Sequence, residues 1–344
     1  MSGELITIGG PWFEDFYRGQ TFDAPAVTLT TGHAAAHQAA FGDRLRLPLD
    51  QSLCESIIGA PKLLAHPALV CNLAIGQSTF ASSRVKANLF YRGLLLRRPV
   101  FLGDTLTTVT KVVALRQNAA KPGRAATGLV ALEITVTNQH SATVLHLYRC
   151  PMIACRDDNA VTGKADSLDA IPEAIAESAL IAAVPPNWRL DLFRSRCSGD
   201  HFADLRLGQV FVVEARDSVS AAPEIARLTL NMAMTHFDAR ASTYGQRLVF
   251  GGHAIALAAA QTTRALPNLV TILAWRGCDH LAPVFEGDML ASEVTVAAMH
   301  PLDNGGGLVD LRVLVRAERS AVAQAAGQPA QADVLDWRFV AVMA

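Results

Sequence analysis

"FEDFYRGQTF", Phe13 to Phe22, and "FADLRLGQVF", Phe202 to Phe211, decide the fold. Both fit F-x-D-x-x-x-G-Q-x-F, with Phe13, Asp15, Gly19, Gln20 and Phe22 answered by Phe202, Asp204, Gly208, Gln209 and Phe211. A longer pair follows in the same order. "YRGLLLRRPVFLGDTL" (Tyr91 to Leu106) returns as "WRGCDHLAPVFEGDML" (Trp275 to Leu290). A weaker third echo pairs "VLHLYRCPMIA", from Val144, with "VLDWRFVAVMA" at the C-terminal end. The repeat is too long for a solenoid unit of roughly 20–50 residues. It is one small domain written twice.

The echoes divide the 344 residues into a first copy (1–155), a connecting stretch (156–188) and a second copy (189–344). The connecting stretch opens on charged and turn residues and closes on Pro185-Pro186, a composition suited to a linker laid over the surface. Within each copy an extended segment follows the F-x-D block. A helix of small residues comes next, "AHPALVCNLAIGQ" or "GHAIALAAAQTTRAL", and then several β-rich runs separated by turn signals such as "KPGR" and "DNGGG". One Ala/Gly-rich helix against antiparallel strands is an α+β layer.

Composition narrows the function. The chain is 51% hydrophobic and 18% charged with a net charge of -1, so it can bury a large core and shows no basic excess for nucleic acid. The opening "MSGELITIGGPWFED" lacks the basic-then-apolar order of a signal peptide. No apolar run approaches the roughly 20 residues of a membrane span. Six cysteines without C-x-x-C spacing, mostly among apolar neighbours, fit free buried thiols in a reducing compartment. These readings predict a cytoplasmic protein without nucleic-acid or membrane partners. His33 and His37 in "HAAAH" have i, i+4 spacing but no obvious third ligand, so no metal is expected. Capping of a helix by Thr30 or Thr31 explains that stretch instead. "CDH", Cys278 to His280, suggests a Cys–His dyad, which strand alternation argues against. No G-x-S-x-G is present.

G-Q-x-F near the start of each copy, P-V-F-x-G-D after each helix, and the duplication itself resemble the MaoC-like double hotdog enoyl-CoA hydratases. The stretches "GDRLRL", "LAHPALVCNLAIGQST", "ANLFYRGLLLRRPVFLGDTL" and "GGHAIALAAAQTTRALPNLVTILAW" resemble the branch that hydrates mesaconyl-CoA. The resemblance implies two tandem hotdog domains, each an antiparallel sheet wrapped around a central helix. It also implies an acyl-CoA substrate, a short branched dicarboxylic acyl group, and hydration of mesaconyl-CoA to β-methylmalyl-CoA. No cofactor is implied beyond the coenzyme A of the substrate, and a homo-oligomer, a dimer, is expected. A general short-chain (R)-specific enoyl-CoA hydratase, a hotdog thioesterase and a non-catalytic acyl-CoA-binding protein remain as alternatives.

Hydrating a 2-enoyl thioester requires a base for water, an acid for the α-carbon and donors for the enolate. The family supplies acid and base as D-x-N-P-x-H. The match here is "NMAMTHFD", where Asn231 holds the first position, His236 lies five on and Asp238 completes H-x-D. An amide cannot take a proton where the family has a carboxylate, so the assignment of the base is open. His236 is expected to handle the proton, Asn231 to hold water or the thioester, and Asp238 to orient the imidazole or share the load. In the first copy Asp43 stands at the motif position, but Pro48 replaces the histidine, so one site per chain is expected, in the second half. By the resemblance, "GGHAIAL" opens the second helix at an oxyanion site, with Gly252, Gly251 or His253 the candidate. A dicarboxylic substrate also requires a cation, and bidentate arginine suits it best. Arg240 and Arg276 are the candidates, although repetition of Arg92 at Arg276 argues for a structural ion pair.

Overall fold

The computed structural model describes residues 4–6, 8–303 and 305–344. Part of the opening stretch read for a leader (1–3 and 7) and Asn304 of the Gly-rich turn therefore lie outside the described residues.

The first copy contributes strands β1 (Thr21–Asp23), β2 (Val27–Thr28), β3 (Val85–Leu96), β4 (Thr105–Gln117), β5 (Thr127–Thr137) and β6 (Thr143–Ala154). The second contributes β7 (Val210–Val212), β8 (Asp217–Ser218), β9 (Leu269–His280), β10 (Met289–Pro301), β11 (Gly307–Glu318) and β12 (Gln331–Met343). They form one antiparallel sheet in the order β1-β4-β5-β6-β3-β9-β12-β11-β10-β7, with β2 on β4 and β8 on β10. The halves have the same internal order and meet edge to edge through β3 and β9, at Leu95 opposite Ala274.

The repeated residues explain why both halves bend alike. Phe13 lies where a Cβ on Gly128 would stand, 2.2 Å from its ring, and Phe202 does the same to Gly307 at 2.0 Å. Asp15 Oδ2 accepts from Trp12 N, and Asp204 Oδ2 from His201 N, each at 2.9 Å. Gln20 Oε1 and Gln209 Oε1 each close a turn from the residue three before, both at 3.2 Å. The G-D pairs behave the same way. Asp104 Oδ2 accepts from Phe101 N and Asp288 Oδ2 from Phe285 N, at 2.9 Å in both copies. Their glycines, Gly103 and Gly287, have φ of 95° and 88°, a conformation that only glycine adopts without strain. The motifs are architectural.

The sheet wraps two helices. All eleven residues of the first-copy helix, Pro67–Gln77, are buried. Apolar residues occupy every face because no face meets water, and the two amides, Asn72 and Gln77, are hydrogen-bonded. The second-copy helix, Gly251–Ala265, buries Gly252 through Thr263 and packs beside it, with Asn72 Nδ2 donating to the Gly252 carbonyl at 3.0 Å. Gly76 at the end of the first helix admits the segment before the motif, since a Cβ there would stand 2.0 Å from the Thr229 carbonyl oxygen. Further helices in the first copy, Thr31–Phe41, Arg46–Leu49 and Gln51–Ile58, interrupt the simple strand-then-helix order expected there. Thr30 caps the first of them, and all six cysteines are free and buried.

The connecting stretch is more than a surface linker. Leu168 and Ile171 pack on Ala114, Ala131 and Cys150, and Leu180, Ala183 and Trp188 pack on Val270, Val340 and Val342. Along β12 these alternate with Phe339 and Ala341, which face the helices, so the stretch covers the back of the sheet. Both repeated arginines hold it there. Arg92 reaches the carbonyls of Leu168 and Ile171 and the Glu173 carboxylate, and Arg276 reaches the Ile175 carbonyl.

Candidate active site

A cavity of about 280 Å³ opens where the end of the first-copy helix meets the start of the second-copy helix. Thr79, Ser82, Tyr91 and Arg149 line it from the first copy, and Asn231, His236, Phe250, Gly251 and His280 from the second. The loop carrying Asn231 and His236 is anchored on both sides. Met232 N donates to Thr79 Oγ1 at 2.6 Å and Met234 N to the Ser83 carbonyl at 3.3 Å, while Leu248 N donates to the Thr235 carbonyl at 3.0 Å. A base must keep its geometry to work, and this loop is tied to both copies.

His236 Nδ1 lies 2.8 Å from the Leu248 carbonyl oxygen, which can only accept, so Nδ1 carries the hydrogen. The lone pair is then on Nε2, and the ring packs against Phe250 at 5.6 Å between centroids. Burial lowers the pKa of His236, the Leu248 bond works against that, and the Arg149 charge lowers it further. The imidazole is neutral at neutral pH, as a general base must be.

Asn231 is fixed in orientation. Its Oδ1 accepts from Ala233 N at 2.9 Å, so the Nδ2 hydrogens are the free donors, and they have no partner among the described residues. It can hold an oxygen and cannot take a proton. Asp238 does not join this pair. Its carboxylate turns out to solvent, caps a short turn at Arg240 N (2.9 Å) and pairs with the Arg240 guanidinium at 2.8 Å. That guanidinium holds the Asp238 pKa below the usual carboxylate range. The Leu248 carbonyl orients His236 in place of Asp238.

The helix start is a donor site. Phe250 precedes Gly251–Ala265 and offers no side-chain cap, so the first N–H groups are left for a ligand. Gly251 lines the cavity, and a Cβ there would stand 2.6 Å from the His280 ring. Gly252 serves packing as well, since a Cβ would stand 2.2 Å from Asn72 Oδ1. His253 is not part of the site. Its N–H donates to the Phe250 carbonyl at 2.8 Å, and its ring lies in the core, 4.9 Å from Phe41.

Neither expected arginine reaches the cavity. Arg240 is 91% exposed, and Arg276 pairs with Asp310 at 3.2 Å on the back of the sheet. Arg149 is there instead, and the sequence reading passed over it. Its signal was parity: on β6 it falls on the same face as Leu145 and Leu147, where a charge has no business being unless something inside requires it. Cys278 and His280, two apart, also share a face, contrary to the alternation argument, with Sγ and Nε2 at 4.0 Å. Burial pushes the Cys278 thiol well up, so it is no thiolate nucleophile. Among the described residues no cluster of three or more His, Cys, Asp or Glu side chains suits a metal ion. His33 binds back to Thr30 while His37 stacks on His66 at 4.8 Å. No helix among the described residues is long and apolar enough to cross a membrane.

No family model matches the chain. It is 29% identical over 98% of its length to a β-methylmalyl-CoA dehydratase of Chloroflexus aurantiacus, covering 98% of that protein. It is also 29% identical to a mesaconyl-CoA hydratase of Cereibacter sphaeroides, with 90% of each chain covered. Among solved structures, a conserved hypothetical protein of Mycobacterium tuberculosis described as a double hotdog fold is 48% identical. It superposes with a TM-score of 0.88 over 98% of this chain and 100% of that one. A MaoC-domain dehydratase structure from Chloroflexus aurantiacus is 27% identical with a TM-score of 0.85, covering 99% of both chains. Two helices wrapped by one doubled sheet, a shared repeat and these full-length likenesses lead to one assignment: the chain belongs to the MaoC-like double hotdog family.

Proposed function

We propose that the chain is a hydro-lyase that reversibly adds water across the double bond of a 2-enoyl-CoA thioester, with mesaconyl-CoA and β-methylmalyl-CoA as its pair. The observation that carries the reading is the neutral His236, with Nε2 free in a cavity that also holds the uncapped start of the second-copy helix. His236 Nε2 takes one proton from water as the water oxygen bonds the β-carbon. The double-bond electrons move to the α-carbon and thioester oxygen, where the N–H groups of Gly251 and Gly252 stabilise the enolate. The imidazolium then returns its proton to the α-carbon, so one water is added and His236 is restored. Asn231 Nδ2 holds the water oxygen in place. The acyl group follows the two curated relatives, whose names state the two directions of one reaction.

Loss of the enoyl-thioester absorbance, with free thiol followed in parallel, tests this. Mesaconyl-CoA consumed without thiol release is the expected result. Thiol release at the same rate would make the protein a thioesterase, and no change with mesaconyl-CoA or crotonyl-CoA would make it a binding protein. A strong preference for crotonyl-CoA would replace the substrate while leaving the chemistry.

A further inference from the structure

We propose that Arg149 receives the free carboxylate of a dicarboxylic acyl thioester and so sets the substrate class of the cavity; this rests on reading the cavity as an acyl-thioester site. Arg149 is 5% exposed. Its Nη2 donates to the Ser78 carbonyl at 3.2 Å and to Ser82 Oγ, its Nε has no partner, and the Tyr91 hydroxyl lies beside it. No carboxylate pairs with it among the described residues.

The second buried arginine makes the contrast. Arg319 faces Asp288 at 2.7 Å, with both side chains fully buried. A guanidinium cannot escape burial by losing its proton, so it is costly inside a protein unless an anion meets it. Arg319 has that anion in the chain, whereas Arg149 has a cavity. Phe339 stands in the matching place of the third echo and is fully buried, so the second copy has an apolar ring where the first has a guanidinium. The planar fork of arginine matches a carboxylate with two parallel hydrogen bonds. Tyr91 is a further donor, because burial pushes its hydroxyl up to about 12 and keeps it protonated. The first copy, which lacks the histidine of the motif, thereby supplies specificity to chemistry carried by the second.

Succinyl-CoA and butyryl-CoA test this without turnover, since both are saturated and they differ by a carboxylate against a methyl. Calorimetry on the purified full chain is expected to show succinyl-CoA binding at least about tenfold tighter, a preference that Arg149→Met abolishes and Arg149→Lys reduces. Wild-type protein that binds butyryl-CoA as tightly overturns the proposal. So does an undiminished preference in either variant; should Arg149→Met not fold, Arg149→Lys and the wild-type comparison decide. Hydration assays beside it separate the two claims. An Arg149-dependent preference with no hydration removes the hydratase reading and keeps the carboxylate receptor, and hydration without the preference does the reverse.

Discussion

Nδ1 of His236 donates to the Leu248 carbonyl oxygen at 2.8 Å, and that bond decides what the imidazole can do. It fixes the tautomer and leaves Nε2 as the basic atom of this ring. In the expected arrangement Asp238 would have held Nδ1 and carried part of a developing positive charge. A neutral carbonyl does less of that, and Arg149 opposes the charge. In the proposed reaction His236 then serves as a base that is free at neutral pH and releases its proton readily to carbon.

The pH dependence follows. His236 has a depressed pKa, so kcat/KM should be flat near neutral pH and fall only on an acid limb below the ordinary histidine value of about 6.5. His280 shares the cavity and is also pulled down by burial, to about 4, so His280→Gln is the control and should retain the limb. Arg149→Met removes a cause of the depression and should move the limb to higher pH. A limb centred above about 6.5 in wild type would contradict the assignment.

Because one side chain both takes and returns the proton, hydrogen and hydroxyl should add to the same face. Hydration in deuterium oxide, with the product's relative configuration read by proton NMR, is expected to give syn addition. Anti addition would require a second acid across the cavity and would remove His236 as sole proton carrier.

Asn231→Asp tests the amide. The aspartate can still accept from Ala233 N, but it replaces the free donor with an oxygen that can take a proton. The pH profile of kcat should then gain a second titrating group. An unchanged profile would mean that residue 231 does not contact the reacting water.

Stability should fall in acid for reasons away from the cavity. His37 and His253 are buried and pulled down to about 3 and about 4. Burial is the main cause for each, with the neighbouring His66 adding to it at His37. A depressed folded-state pKa means stability is complete above about 6.5 and lost as pH falls toward those values, with about 3 kcal/mol gone for each group by about pH 4. For the Asp43–His66 pair at 3.1 Å, burial would raise the Asp43 pKa, and His66 overrides it. That contribution is lost only at still lower pH. Chemical denaturation between pH 7 and pH 4 should show the loss, and Phe or Leu in place of His253 should remove part of it.

Gly128→Ala and Gly307→Ala should each destabilise by roughly 1–3 kcal/mol or more, because the new methyl meets the ring of Phe13 or Phe202. Melting temperatures of the two variants should fall together. A loss in only one would mean that the F-x-D blocks do not perform the same task in both copies.

The fold was legible because its determinants are local and were written twice: a glycine with positive φ, an aspartate closing a turn, a phenylalanine over a glycine. The motif histidine was legible from spacing. The partners were not, because two short turns, Met234–His236 and Ala239–Ala241, send Asp238 outward to Arg240 while His236 turns inward. Arg149 lies far from the motif in sequence and reaches the cavity only because the two halves pack helix end to helix start. Its one local trace was a charge on the apolar face of β6.

The most direct measurement is the hydration rate of mesaconyl-CoA by wild type and by His236→Ala, with melting temperature and circular dichroism as controls. The variant should remain folded and lose about a hundredfold or more in kcat, with no thiol released by either protein. A folded His236→Ala that hydrates mesaconyl-CoA at a near-normal rate would contradict the account and move the chemistry to another residue.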